Sequence, residues 1–284
     1  MIATMNHATA GKALAAPDFL YRDVPAFKKR VHRLGLAGNF GIDEAGIAAA
    51  LERGVNYFFW PLRQANLGNV LREAARRDRE RLVIASVATI GYFGTTVRSG
   101  AEKALRLLGT DYLDVFMLGW LGKASLWTRG TVDALCKLRE EGKVRAIGVS
   151  IHDRKRAGEL ARDSPLDLLM VRYNAAHPGA EREVFPERAV RNTALVAYTA
   201  TSWGQLLRRP SGWEEPVPSA GDCYRFCLSN DAVDVVLSGP ASLAQLDENL
   251  EALNKGPLSA DEMAWMRRFG ALVHKRSLMP GAPR

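Results

Sequence analysis

The sequence predicts a (β/α)8 barrel with an extra C-terminal helix, and three observations predict it. Short apolar runs alternate with amphipathic helical stretches eight times between residues 31 and 253. Several runs (DVFMLGW, LDLLMV, VDVVLS) are apolar nearly throughout, as parallel strands covered on both faces are. No GxGxxG follows the first run, which counts against the runner-up, an open doubly wound sheet.

The elements follow in order. Residues 1–30 are a loose N-terminal segment, residues 31–37 (VHRLGLA) read as a strand, and Asp43–Glu52 is an amphipathic helix that Gly54 ends. The apolar run 55–60 stops at Pro61, and a helix from Asn66 carries Leu67, Val70, Leu71 and Ala74 on one face. Strand 82–87, helix 96–108, strand 112–120 and helix 131–141 continue the rhythm. Strand 144–150 leads into a helix from Asp153, a good N-cap, and strand 166–174 leads into helix 181–192. After strand 195–200, residues 201–219 contain Trp, Pro and Gly and read as a lid over the C-terminal strand ends. A helix near 220–228, strand 233–238 and helix 243–253 complete the eight units. Residues 259–284 add a helix and tail, opened by Ser259 and Glu262 at capping-box spacing. The whole chain, 1–284, reads as one domain without internal repeats.

Composition narrows the function classes. With 47% hydrophobic and 25% charged residues, the chain is an ordinary globular one. No run approaches the ~18 apolar residues of a membrane span, and residues 1–16 lack the apolar core of a secretory signal. Three cysteines at irregular spacing point to reduced thiols and a cytoplasmic setting. The net charge of +8 comes from arginines spread along helices with no aromatic-interleaved basic tract, so nucleic acid is not the expected partner and a small molecule is. Cys223 and Cys227 lie four apart on a helix without further metal-ligand types beside them, which reads as packing and not a metal site.

Catalytic groups of such barrels sit at the C-terminal ends of strands. The junction after strand 55–60 offers Phe59, Trp60, Pro61, Leu62, Arg63 and Gln64, with no carboxylate, tyrosine or histidine. Candidates for proton transfer are therefore His152, directly after strand 144–150, and Tyr173, at the end of strand 166–174. Strand alternation leaves open that Tyr173 faces the helices.

Several segments together resemble the aldo-keto reductase family: RLGLA (33–37), GVNYF (54–58), LRLLGTDYLDVFMLGW (105–120), EGKVRAIGVS (141–150), MVRYNAAH (170–177), LVAYTA (195–200) and SGPASLAQLDENLEAL (238–253). The resemblance implies carbonyl reduction with NADP(H) by a tyrosine acid, a lysine–aspartate pair and a histidine. Carried over residue by residue, those four positions are Phe59 for the aspartate, Gln64 for the tyrosine, Val87 for the lysine and Gly119 for the histidine. All four differ. An ion pair is lost most cheaply when both partners become apolar, so Phe59 and Val87 together read as a remodelled site. Gly119 is expected to leave space beside Trp120, and Trp60 and Tyr92 to line an apolar pocket. For the cofactor, Ser150 and Tyr198 match nicotinamide contacts while Ile151 and Met170 do not. Glu248 and Asn249 match at the adenine end, and Ser242 and Gln245 stand near the 2′-phosphate position.

Three functions follow as expectations. The first is a divergent NADP(H)-binding oxidoreductase acting on an apolar carbonyl. The second is a non-redox cyclase, dehydratase or isomerase using the pocket, and the third a non-catalytic binding or regulatory protein.

Overall fold

The computed structural model describes residues 17–88 and 90–277. A helical turn α1 (Pro17–Leu20) leads to an antiparallel hairpin, β1 (Tyr21–Val24) and β2 (Lys29–His32). The barrel is then built from β3 (Leu34–Ala37), α2 (Glu44–Glu52), β4 (Tyr57–Trp60), α3 (Ala65–Asp78), β5 (Val83–Ala88), α4 (Gly94–Leu108), β6 (Leu113–Leu118) and α5 (Arg129–Glu140). It continues with β7 (Val144–Ile151), α6 (Arg154–Asp163), β8 (Leu168–Arg172), α7 (Ala180–Glu183), α8 (Phe185–Ala189), β9 (Ala194–Tyr198), α9 (Ala220–Leu228), β10 (Val235–Ser238) and α10 (Leu243–Leu253). Strands β3 to β10 close on themselves, every pairing parallel, and α11 (Ala260–Ser277) follows. This is the (β/α)8 barrel with its extra C-terminal helix.

Alternation along each strand divides the core in two. Tyr57, Val83, Ala85, Val115, Met117 and Leu168 pack inside the barrel, while Phe58, Ile84, Phe116 and Leu169 pack under the helices. The same alternation carries upward to the C-terminal rim. There Phe59, Val87, Gly119, Ser150 and Tyr198 continue the inward rows of their strands.

The N-terminal expectation needs correcting. Residues 17–30 are not loose: the hairpin turns Val24, Phe27 and Val31 into the barrel interior and closes its lower end. Reading 31–37 as one strand also missed a break at Arg33. That buried guanidinium donates to the carbonyls of Leu228 (3.0 Å) and Val233 (2.7 Å), and this turns the chain from hairpin to barrel. The expected helix 181–192 is split into α7 and α8 at Val184. Residues 1–16 and the tail 278–284 lie outside the described residues.

The capping box of α11 forms as its spacing implies, with Glu262 N donating to Ser259 Oγ at 3.2 Å and Ser259 N donating to Glu262 Oε2 at 2.8 Å. Among the described residues no helix is long and apolar enough to cross a membrane.

Candidate active site

A cavity of about 700 Å³ opens at the C-terminal ends of the strands. Its wall takes residues from nearly every strand end, including Phe59, Gln64, Val87, Gly119, Ser150, Met170, Tyr198 and Leu237. The four positions that the resemblance assigns to proton handling therefore converge on one cavity, and none carries a charge. Among the described residues, Arg63 is the one formally charged residue in the lining, and none of the lining residues is a carboxylate.

Two expectations about this wall change. A Cβ on Gly119 would lie 2.4 Å from Val87 Cγ2 and 3.1 Å from the Ala88 carbonyl oxygen, so the expected space beside Trp120 is already filled by valine. Trp60 is buried outside the cavity, its Nε1 donating to the Gln64 carbonyl at 3.0 Å, and Tyr92 is also outside, its hydroxyl on the Lys123 carbonyl. The aromatic surface comes instead from Phe40, Phe59, Trp120, Tyr198, Trp203 and Tyr224.

The mouth is shaped by unusual backbone. Trp120, Thr199, Ser202 and Trp203 all have positive φ, between 47° and 57°, in loops bordering the cavity. Non-glycine residues adopt that conformation only where surrounding structure over-determines it. Two orphaned polar groups sit in the same wall: Thr199 Oγ1 and both ends of the Gln64 carboxamide are buried without a partner. Residues 201–219 reach this mouth with Trp203, whose ring lies 6.2 Å from Phe40, while their far half is tied to α11. Trp213 packs edge-on against Phe269 at 5.1 Å, and Glu215 pairs with Arg268 at 2.9 Å.

Of the two proton-transfer candidates, only His152 borders the cavity. Tyr198 Oη lies 3.1 Å from its Nε2 and 3.4 Å from its Nδ1, so the hydroxyl meets the ring between the two nitrogens. Trp120 flanks His152 at 6.2 Å, and the Lys123 amine lies 5.4 Å from the Trp120 ring centroid. Burial, then the positive charges of Arg172 and Lys123, hold His152 below its ordinary pKa of 6.5. Burial pushes Tyr198 up to about 12, against smaller opposing effects of Ser150 and Arg172. Tyr198 is therefore protonated at neutral pH, and its hydroxyl shares a hydrogen bond with a neutral imidazole whose tautomer sets the donor.

Tyr173 is removed from this role. It faces the helix layer, buried against Phe185 and Phe226, with its hydroxyl on Glu181 at 2.7 Å. Asp153 caps α6 through the Arg156 amide at 3.0 Å.

The cofactor candidates separate into two groups. Ser150 and Tyr198 line the cavity. Ser242 caps α10 by accepting from Gln245 N, and Gln245 Oε1 accepts from Ala241 N at 2.8 Å. Asn249 is buried and donates to Ser238 Oγ at 3.2 Å, while Glu248 is exposed. Residues 239–250 contain no lysine or arginine, and Asp247 pairs with Arg53 at 2.7 Å. Gly239, between the two groups, lies under the Phe40 ring, where a Cβ would be 2.1 Å from Cδ2.

A closed parallel barrel with its cavity at the C-terminal strand ends is the framework of the (β/α)8 enzymes. The chain belongs to the aldo/keto reductase family, whose model matches residues 45–219. Proteins of that family generally bind NAD(P)H. An NADH-specific methylglyoxal reductase of Escherichia coli is 31% identical over 39% of this chain and 35% of its own length. A glyoxal reductase of Bacillus subtilis is 30% identical over 51% of each chain. This chain thus matches about a third of one relative and half of the other. The fold is shared with an aldo-keto reductase from Bacillus halodurans in its holo form, with a TM-score of 0.74 at 21% identity, covering 88% of this chain and 95% of that one.

The pairing of His152 with Tyr198 was not visible in the sequence, because they lie on strands two apart in the barrel. Phe40 and Trp203 were also missed. Their only signal was an aromatic residue at a loop position.

Proposed function

We propose that this protein is a nicotinamide-dependent oxidoreductase acting on an apolar carbonyl–alcohol pair, with His152 as its proton-handling residue. The observation that carries the proposal is the hydrogen bond between Tyr198 and His152 at the mouth of a mainly apolar cavity. When bound, the nicotinamide would supply or accept the hydride. Tyr198 would help hold it in the cavity and, with its hydroxyl, fixes the orientation of His152. A ligand oxygen beside the imidazole exchanges its proton there, and the apolar wall, Phe59 and Val87 included, excludes water from that oxygen.

The lining fits a nicotinamide at Ser150 and Tyr198. At the adenine end the resemblance implies NADP(H), but residues 239–250 bring no cation to a 2′-phosphate and α10 is already capped by its own side chains. A segment that brings no cation of its own suits an unphosphorylated ribose better, so NADH is the favoured member of the pair. Phe40 must yield from Gly239 for the dinucleotide to span both ends.

Titration with NADH and NADPH, followed by the fluorescence of Trp120 and Trp203, tests the first half of the proposal. Tighter binding of NADH is expected, and no binding of either at millimolar concentration removes the redox reading. Cofactor oxidation with a panel of aliphatic and aromatic aldehydes and ketones tests the second half. His152→Ala should lower turnover by about 10²–10⁴-fold, the range of a positioned acid or base. Binding with no turnover for any carbonyl would favour a regulatory or binding protein.

A further inference from the structure

Arg172 ends β8 on the same face as Leu168 and Met170 and pairs in register with Tyr198; Met170 and Tyr198 line the cavity, and Arg172 stands just outside the lining. It is partly buried, yet among the described residues its guanidinium has no hydrogen bond and no ion pair. The fully buried arginines are not left that way. Arg33 is held by backbone carbonyls, Arg188 by Asp234 at 3.2 Å, and Arg225 by Glu262 at 2.8 Å. A guanidinium taken partly out of water without a partner is costly unless something else brings the counter-charge.

Its surroundings bring no free carboxylate. Arg154, the imidazoles of His152 and His177 and the Tyr198 hydroxyl are its titratable neighbours. Glu183 is engaged by Arg154 Nε at 3.0 Å. Among the described residues no carboxylate lines the cavity.

We propose that Arg172 is the anion-binding residue at the edge of this site, and that the ligand is an apolar compound carrying a carboxylate. The carboxylate sits on the guanidinium, and the apolar body occupies the cavity. Resting on the oxidoreductase reading, this makes the substrate class an oxo- or hydroxy-carboxylate whose carbonyl or hydroxyl carbon lies beside His152. The binding claim itself needs neither cofactor nor turnover.

The test uses hexanoate as probe, with hexanamide as its neutral counterpart and inorganic phosphate as the alternative anion, measured by calorimetry on the purified protein. Wild type should bind hexanoate more tightly than hexanamide or phosphate, because only hexanoate offers both the charge and the apolar tail. Arg172→Gln should weaken hexanoate about 10- to 100-fold, the worth of a charge-assisted hydrogen bond, and leave hexanamide unchanged. Arg172→Lys should fall between. Because Arg172 makes no side-chain hydrogen bond, both variants should keep the wild-type circular dichroism spectrum. NMR titration of the His152 ring adds a second readout: its pKa should rise in Arg172→Gln, and in wild type when hexanoate binds. Equal hexanoate affinity in wild type and Arg172→Gln overturns the proposal. So does equal affinity for hexanoate and hexanamide. Phosphate binding as tightly as hexanoate overturns the carboxylate assignment. Failure of carbonyl turnover with intact hexanoate binding would count against the oxidoreductase reading alone.

Discussion

Gly119 and Val87 occupy one shared volume at the top of adjacent strands, since a Cβ on Gly119 would stand 2.4 Å from Val87 Cγ2. Valine is short and stiff at χ1, so it cannot swing aside as a long side chain would. Gly119→Ala should therefore destabilise the fold by about 1–3 kcal/mol, and Val87→Ala in the same chain should recover most of that loss. Urea unfolding of the two single variants and the double variant measures the coupling. Additive effects would show that the two residues do not share the space.

Asp114 is expected to be the most sensitive carboxylate at the lower end of the barrel. It is fully buried and accepts from Lys29 Nζ at 2.8 Å, Arg79 Nη2 at 2.8 Å and the Ile84 amide at 2.9 Å. Asp114→Ala removes the counter-charge of three cations, Arg145 at 3.7 Å included, and strands an amide, so a loss of about 3–5 kcal/mol is expected. Asp114→Asn keeps the shape and one acceptor and should cost less. Chemical denaturation ranks the two, and equal stability of Asp114→Ala and wild type would contradict the geometry.

His177 should make the fold acid-sensitive. Burial, then the charges of Arg172, His274 and Arg154, lower its pKa to about 4. In the unfolded chain it titrates near 6.5. Between those values the unfolded state binds more protons, so stability falls as pH drops from about 6.5 towards 4, and the whole of this contribution is lost below that. His177→Gln should flatten the dependence of the melting temperature on pH in that window. A variant with the wild-type slope would assign the acid sensitivity to other groups.

His152 sets the direction of the pH–rate profile. Carbonyl reduction needs a proton on the imidazole, so its kcat should rise as pH falls through a midpoint below 6.5. Alcohol oxidation needs the neutral ring, so its kcat should rise with pH through the same midpoint. Lys123→Gln removes one of the two nearby positive charges and should move both midpoints upward. Profiles that do not shift would separate His152 from the proton transfer.

Much of the fold was legible because it rests on local periodicity. Runs such as LDLLMV and VDVVLS can be buried on both faces only in a parallel sheet, and Asp153, Ser242 and Ser259 announce helix starts through short-range hydrogen bonds. The hairpin at 21–32 was not legible. Its alternation is four residues long on each side, and what holds it is the barrel end that receives Phe27.

The candidate site was legible as a set of absences and only partly as a set of contacts. The sequence by itself determined that Phe59, Gln64, Val87 and Gly119 carry no ionisable group, and that His152 follows a barrel strand. Only the tertiary structure decided that Val87 fills the space Gly119 leaves, that Tyr173 turns to Glu181 and that Tyr198 meets His152. It also decided that Arg172 stands there without a counter-charge. Strand period and helix caps are set by residues a few positions apart, whereas these relationships join side chains from different strands and depend on how the closed barrel brings their ends together.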